Sequence, residues 1–254
     1  MDKELTGLTQ DAFLGGALTI CQPQRGFRSG LDAVVLAASI PARAGEHALE
    51  AGLGVGVASL CLLRRVPGLR VTGLEAHAET ATLAADNALH NHLQDQLEIH
   101  QGSIEAPPVA LRQRVFDHVF ANPPFLESGE GVKADGEMRA GARMGPPGTL
   151  GAWVDFCVRR AAPGASVTVL HRADRLDRLL AAFGERCGGV QVFPLWPKAG
   201  VPAKRVLVRA IKGSRRPLTM LSGLVLHEAD GAFTGEADAI LRRGAPLAAL
   251  APHA

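Results

Sequence analysis

Apolar positions along the chain fall into short runs of two kinds. Residues 47–50, 69–74, 97–100, 115–120 and 165–171 are aliphatic or β-branched runs bounded by Gly, Pro or charged residues, the pattern of strands covered on both faces. Residues 57–63, 78–90, 152–161 and 174–184 carry their apolar side chains at helical spacing. Strand and helix alternate, which predicts an α/β fold with a doubly wound, Rossmann-like parallel sheet. Residues 31–40 predict a short helix entering from an N-terminal appendage, with Ser29 and Asp32 near its start. Two later runs, 190–195 and 206–211, predict an antiparallel hairpin at the sheet edge, and residues 218–243 are placed only loosely. Residues 126–149 form a Gly-, Pro- and Arg-containing connection, long enough to point to a functional or mobile role.

With 254 residues, 47% hydrophobic and 20% charged, the chain suits one packed α/β domain with appendages. No run is long and apolar enough for a membrane span, and the first ten residues lack the core of a secretory signal. Cys21, Cys61, Cys157 and Cys187 form no Cys-x-x-Cys pair, so they are expected to be reduced, cytoplasmic and mostly buried. Neither these cysteines nor His90, His92 and His118 point to a metal. A net charge of +2 excludes a general polycation. Residues 198–216 nevertheless hold Lys198, Lys204, Arg205, Arg209, Lys212, Arg215 and Arg216 without an acidic residue, enough to seat phosphates if they share a face.

Two motifs carry chemistry. Glu50-x-Gly52-x-Gly54-x-Gly56 stands where a strand turns into a helix, so its backbone can approach a ligand closely. It misses the dinucleotide fingerprint by one position, since Val57 stands where glycine is required. Glu50 ends the first strand of this unit and Glu75 the second. Two carboxylates suit a ligand with an ammonium and a ribose better than one with a phosphate, which favours S-adenosylmethionine. Asn122-Pro123-Pro124-Phe125 follows a strand at the sheet's ligand-binding end. Its prolines fix the backbone so that the Pro123 carbonyl can face a ligand, Asn122 adds a second acceptor, and Phe125 can stack on a planar group. Two acceptors gripping the hydrogens of a conjugated amine favour its pyramidal, nucleophilic form.

With these residues together, the chain resembles the class I methyltransferases of the Asn/Asp-Pro-Pro-aromatic group, and among them the bacterial adenine-37 N6-methyltransferases of valine tRNA. The resemblance also runs through the segment from Phe27-Arg28-Ser29-Gly30-Leu31-Asp32 to Ala37 and through Leu226-His227-Glu228-Ala229-Asp230-Gly231. It implies a seven-stranded sheet and three parts: an appendage with the cofactor-side helix at 1–44, the core at 45–217 and an extension at 218–254. It implies S-adenosylmethionine held by Arg28, Asp32, Glu50, Gly52, Gly54, Glu75 and Asn122, with Glu75 on the ribose. Asn122 and Pro123 would grip the acceptor amine, with Pro124 and Phe125 completing the catalytic loop. Ser103 stands where the family usually has an acidic residue near the cofactor's adenine. The implied partner is tRNA, met by the basic stretch with Arg139 and Arg143; monomer and homodimer remain equally open. Rival readings are a protein glutamine N5-methyltransferase, whose loop usually ends in tyrosine, a non-catalytic RNA-binding or scaffold protein of the same fold, and an NAD-dependent dehydrogenase.

Overall fold

A computed structural model describes residues 7–26, 28–125 and 149–250. Phe27, Arg139, Arg143 and all but the last residue of the 126–149 connection lie outside these. The described residues begin with a hairpin, β1 (Leu8–Phe13) and β2 (Leu18–Pro23), followed by α1 (Leu31–Ser39). The core then alternates: β3 (His47–Ala51), α2 (Val57–Arg65), β4 (Arg70–Glu75), α3 (Ala78–His90), β5 (Leu97–Gln101), a short α4 (Val109–Arg112) and β6 (Phe116–Ala121). After the connection come α5 (Thr149–Arg160), β7 (Ala161–Arg172), α6 (Leu176–Phe183), β8 (Cys187–Lys198) and β9 (Arg205–Lys212). Two short strands, β10 (Thr219–Met220) and β11 (Leu224–His227), precede α7 (Gly235–Arg243).

The main sheet has the order β10-β8-β9-β7-β6-β3-β4-β5, and β11 also pairs with β8. Strands β3 to β7 run parallel, whereas β9 is antiparallel to both β7 and β8. The seven strands expected are therefore present, with two short ones added beyond them. The β8–β9 hairpin is not the edge: β10 and β11 line up parallel on its outer side. Strands of two and four residues are too short to leave a readable period, which is why this segment could only be placed loosely.

Both faces of the sheet are covered, so alternate residues of each central strand enter different cores. Phe120, Leu170, Leu207 and Phe193 face α1, α2, α3 and α7, while Val119, Val167, Val169 and Val208 face α5 and α6. The N-terminal appendage is a β hairpin that the polar run 8–13 did not announce. Its β2 edge is paired by α3 through side-chain amides: Cys21 bonds Asn87 in both directions (2.8 and 3.0 Å), and Thr19 does the same with Asn91 (3.0 and 2.8 Å). Asn87 and Asn91 lie one turn apart on one face, so they replace a missing strand partner. The C-terminal helix α7, capped by Thr234 and ended by Gly244, packs on α1.

Candidate active site

The parallel strands end together at one rim. Glu50 of β3 lies beside Phe120 of β6 in register, which brings the glycine loop and Asn122 next to each other. Backbone amides of Gly52 and Leu53 both donate to the Leu74 carbonyl at 2.9 Å, fixing the loop to the end of β4. Gly54 has φ +56° and nothing within 4 Å of where a Cβ would stand, so the loop is open at that point. At Gly52, φ +76°, an added Cβ would meet the Trp153 ring of α5 at 2.7 Å. Trp153 thus packs directly on the loop, a neighbour that spacing in the sequence does not reveal.

Glu50 is buried, with one carboxylate oxygen accepting both the Ser59 amide (3.1 Å) and the Ser59 hydroxyl (2.5 Å). Burial pushes its carboxyl up to about 8; the two Ser59 bonds oppose the shift and the neighbouring Glu75 charge adds to it. Glu75 is also buried, and its two oxygens accept Gly54 N–H (2.8 Å) and His77 N–H (3.0 Å). The second carboxylate therefore shapes the very loop it faces. Ser103, after β5, accepts the Ala106 amide at 3.2 Å in its own turn, which docks beside Glu75 through Gly102 N–H to the Glu75 carbonyl (2.8 Å).

Asn122 follows β6 directly, and its Oδ1 is buried without a hydrogen-bond partner. A buried acceptor left unmade costs about 1–3 kcal/mol, so such an atom marks a place where a donor belongs. Pro123 is buried beside it, and the Pro124 backbone takes a hydrogen bond from His171 at the end of β7. His171 is itself buried, its Nδ1 has no partner, and desolvation holds its pKa down at about 4. The neutral ring meets Phe125 edge-on, 5.4 Å between centroids. Above Phe125 lies the Arg205 guanidinium, 4.4 Å from the ring centre, held by Asp32 of α1 at 3.1 Å.

Glu50, Gly52, Gly54, Glu75 and the Asn122–Phe125 loop thus share one rim. Arg28 is occupied elsewhere: it bonds Thr9 (2.6 Å), the Pro23 carbonyl (2.9 Å) and Asp11 (2.5 Å), tying the entry of α1 to the hairpin. Asp32 reaches Phe125 of the Asn-Pro-Pro-Phe loop through Arg205. The basic stretch does not share a face. Arg205 and Lys204 sit at the β7 carboxyl end, Arg209 is buried against Gln191, and Lys212 bonds the Ala161 carbonyl at the opposite end. His171 and Trp153 join the site only through the fold, and no spacing rule could have found them; Arg205, named from the sequence only as one of the basic run, reaches Phe125 in the same way. His118 bridges Ser166 (2.7 Å) and Glu46 (2.9 Å) within the sheet. Among the described residues no group of His, Cys, Asp and Glu could hold a metal ion, and no helix is long and apolar enough to cross a membrane.

Comparison with known proteins agrees with this geometry. The methyltransferase small domain family matches residues 29–144. The tRNA1(Val) (adenine(37)-N6)-methyltransferase of Porphyromonas gingivalis is 29% identical over 89% of this chain and 91% of its own length. The enzyme of the same description from Dickeya chrysanthemi is 26% identical over 84% and 85%. A crystal structure of a predicted O-methyltransferase from Agrobacterium tumefaciens superposes with TM-score 0.71 at 25% identity, covering 85% of this chain and 97% of that one. Strand order, the glycine loop between two acidic strand ends and these likenesses together identify the chain as a class I S-adenosylmethionine-dependent methyltransferase.

Proposed function

We propose that the enzyme methylates the exocyclic N6 amine of an adenine in tRNA, in the anticodon loop, and that it works in the cytoplasm. The observation that carries the acceptor type is the buried, unpartnered Oδ1 of Asn122, an acceptor positioned for an N–H. S-adenosylmethionine, when bound, supplies a methyl group on cationic sulfur, an electrophile that needs alignment more than activation. Glu50 serves its ammonium, Gly52 and Gly54 its methionine part, and Glu75 its ribose; Ser103 completes the assignment carried over from the family, in which Arg28 and Asp32 act indirectly, Arg28 by tying the entry of α1 to the hairpin and Asp32 by holding Arg205. Asn122 Oδ1 and the Pro123 carbonyl each accept one hydrogen of the acceptor amine. Holding both hydrogens draws the nitrogen lone pair out of conjugation and directs it at the methyl group. Because His171 occupies the Pro124 carbonyl, the loop keeps its shape when the acceptor leaves. In functional terms the chain divides into an appendage with the cofactor-side helix (1–44), the transferase core (45–217) and an extension (218–254).

Relatives named as adenine-37 N6-methyltransferases of tRNA1(Val) over most of the chain support the tRNA acceptor. A loop adenine is single-stranded, so drawing it into the site costs little unstacking. The test is transfer of labelled methyl to tRNA from a strain lacking this protein, followed by nucleoside analysis. N6-methyladenosine is the expected product. Label entering protein glutamine instead of tRNA would replace the acceptor, and no transfer to either would replace the enzyme reading with a binding role.

A further inference from the structure

Three elements distant in sequence meet above the catalytic loop. Asp32 stands in the first turn of α1, Arg205 opens β9 and Phe125 ends the Asn-Pro-Pro-Phe motif. Asp32 Oδ2 accepts Arg205 Nε at 3.1 Å, and Arg205 Nη1 donates to the Lys204 carbonyl at 3.2 Å. With two of its donors committed, the guanidinium is held over one face of Phe125, 4.4 Å from the ring centre. The His171 ring closes on the same phenylalanine edge-on. Phe125 is therefore fixed from two directions, and one of its faces is already taken by a planar cation. A flat acceptor can stack only on the face that Arg205 leaves uncovered.

We propose that Arg205, anchored by Asp32, is an acceptor-positioning residue: it fixes the plane of Phe125 and so sets the layer in which the acceptor base lies against Asn122. This rests on the nucleobase reading above. It gives Asp32 a role on the acceptor side of the site, and it makes the planarity of Arg205, not its charge alone, the property that matters. A lysine would keep the charge but lose both the planar stack and the Nε–Asp32 bond.

The experiment compares Arg205→Lys, Arg205→Gln, Asp32→Asn and the Asp32→Asn/Arg205→Gln pair with the unsubstituted enzyme, reading tRNA KM and kcat separately and S-adenosylmethionine Kd by calorimetry. Both Arg205 variants are expected to raise tRNA KM about tenfold, about 1.4 kcal/mol, with cofactor Kd unchanged within about twofold. The pair should be no worse than Arg205→Gln alone, because the aspartate acts through the arginine. Side-chain exposures of 32% for Arg205 and 23% for Asp32 make these changes tolerable to the fold, and unchanged cofactor binding verifies it. Normal tRNA KM in Arg205→Gln, full rescue by lysine, or a cofactor Kd change with tRNA KM unaltered would each overturn the proposal. Failure of the unsubstituted protein to methylate tRNA would overturn the acceptor reading with it, whereas any of the three former results beside active unsubstituted enzyme overturns this inference alone.

Discussion

Replacing Glu50 by glutamine should make the protein more stable and less able to bind its cofactor. The folded state holds the Glu50 proton up to about pH 8, whereas the unfolded chain releases it near 4.5. Between those values the folded state binds more protons, so the contribution of this group to stability falls as pH rises from 4.5 and levels off above 8. At 1.36 kcal/mol per pH unit the whole window amounts to roughly 4–5 kcal/mol, and relaxation of the site reduces it to about 2–4 kcal/mol. Glutamine has the same shape and retains an acceptor for the Ser59 amide and hydroxyl, so it avoids the ionisation without opening a gap. The two proteins should therefore unfold alike near pH 5, and the glutamine variant should lead by roughly 5–12 °C at pH 9. A bound ammonium would draw the carboxyl into its ionised form, so cofactor binding to the natural protein at pH 7 should release close to one proton. Calorimetry in buffers of different ionisation enthalpy measures that release. Glu50→Gln should abolish it and weaken cofactor affinity at least about tenfold, an ion-assisted hydrogen bond being worth roughly 1.5–3 kcal/mol. Parallel pH–stability curves for the two proteins would refute the reasoning, because they would mean that Glu50 ionises in the folded state as it does in the unfolded one.

Four other outcomes follow from the site. Asn122→Ala should lower kcat by about 10²–10³, as loss of one preorganised polar contact does, while cofactor affinity measured by calorimetry stays near normal. Glu75→Ala should raise cofactor Kd at least about tenfold, since it removes both the proposed ribose partner and the acceptor for Gly54 and His77 amides. For His171 the folded pKa lies near 4, below the ordinary 6.5, so the unfolded state takes the proton first; stability is complete above 6.5 and declines toward pH 4. Across that window the natural protein should lose about 2–3 kcal/mol more than His171→Leu in denaturant titrations. Gly52→Ala should reduce cofactor affinity and the thermal midpoint together, because the new Cβ would lie 2.7 Å from the Trp153 ring at a positive φ.

The fold was legible wherever a segment was long and buried on a regular period. The bounds 78–90 for α3 and the start of α1 at Leu31 coincide with the periodic runs, because Leu83, Ala84 and Ala88 must return to one face. The hairpin at 8–23 was not legible: β1 is half exposed along its length, and β2 gains its partner from Asn87 and Asn91, whose role depends on where α3 packs. The outer strands β10 and β11 escaped because their order comes from β8 and not from any pattern of their own.

The candidate site divides along the same physical line. Residues that shape a ligand through backbone geometry must sit next to one another in sequence, which is why Gly52, Gly54 and Asn122–Phe125 could be read as motifs. Residues that position those motifs from outside need only be near in space. His171 and Arg205 come from β7 and β9, 46 and 80 positions beyond Phe125 in the numbering, and each adopts its role only when the antiparallel β7–β9 pairing brings Arg172 opposite Arg205. The basic run 198–216 illustrates the converse. Its residues are adjacent in sequence but diverge in space, since β9 carries Arg205 to the rim of the candidate site and Lys212 to the far end of the sheet. A strand of eight residues spans about 26 Å, so one such run cannot act as one patch. Contact with an extended partner at this site must therefore be built from charges that different elements bring to the rim, and Lys204 and Arg205 are the members of the run that the fold delivers there.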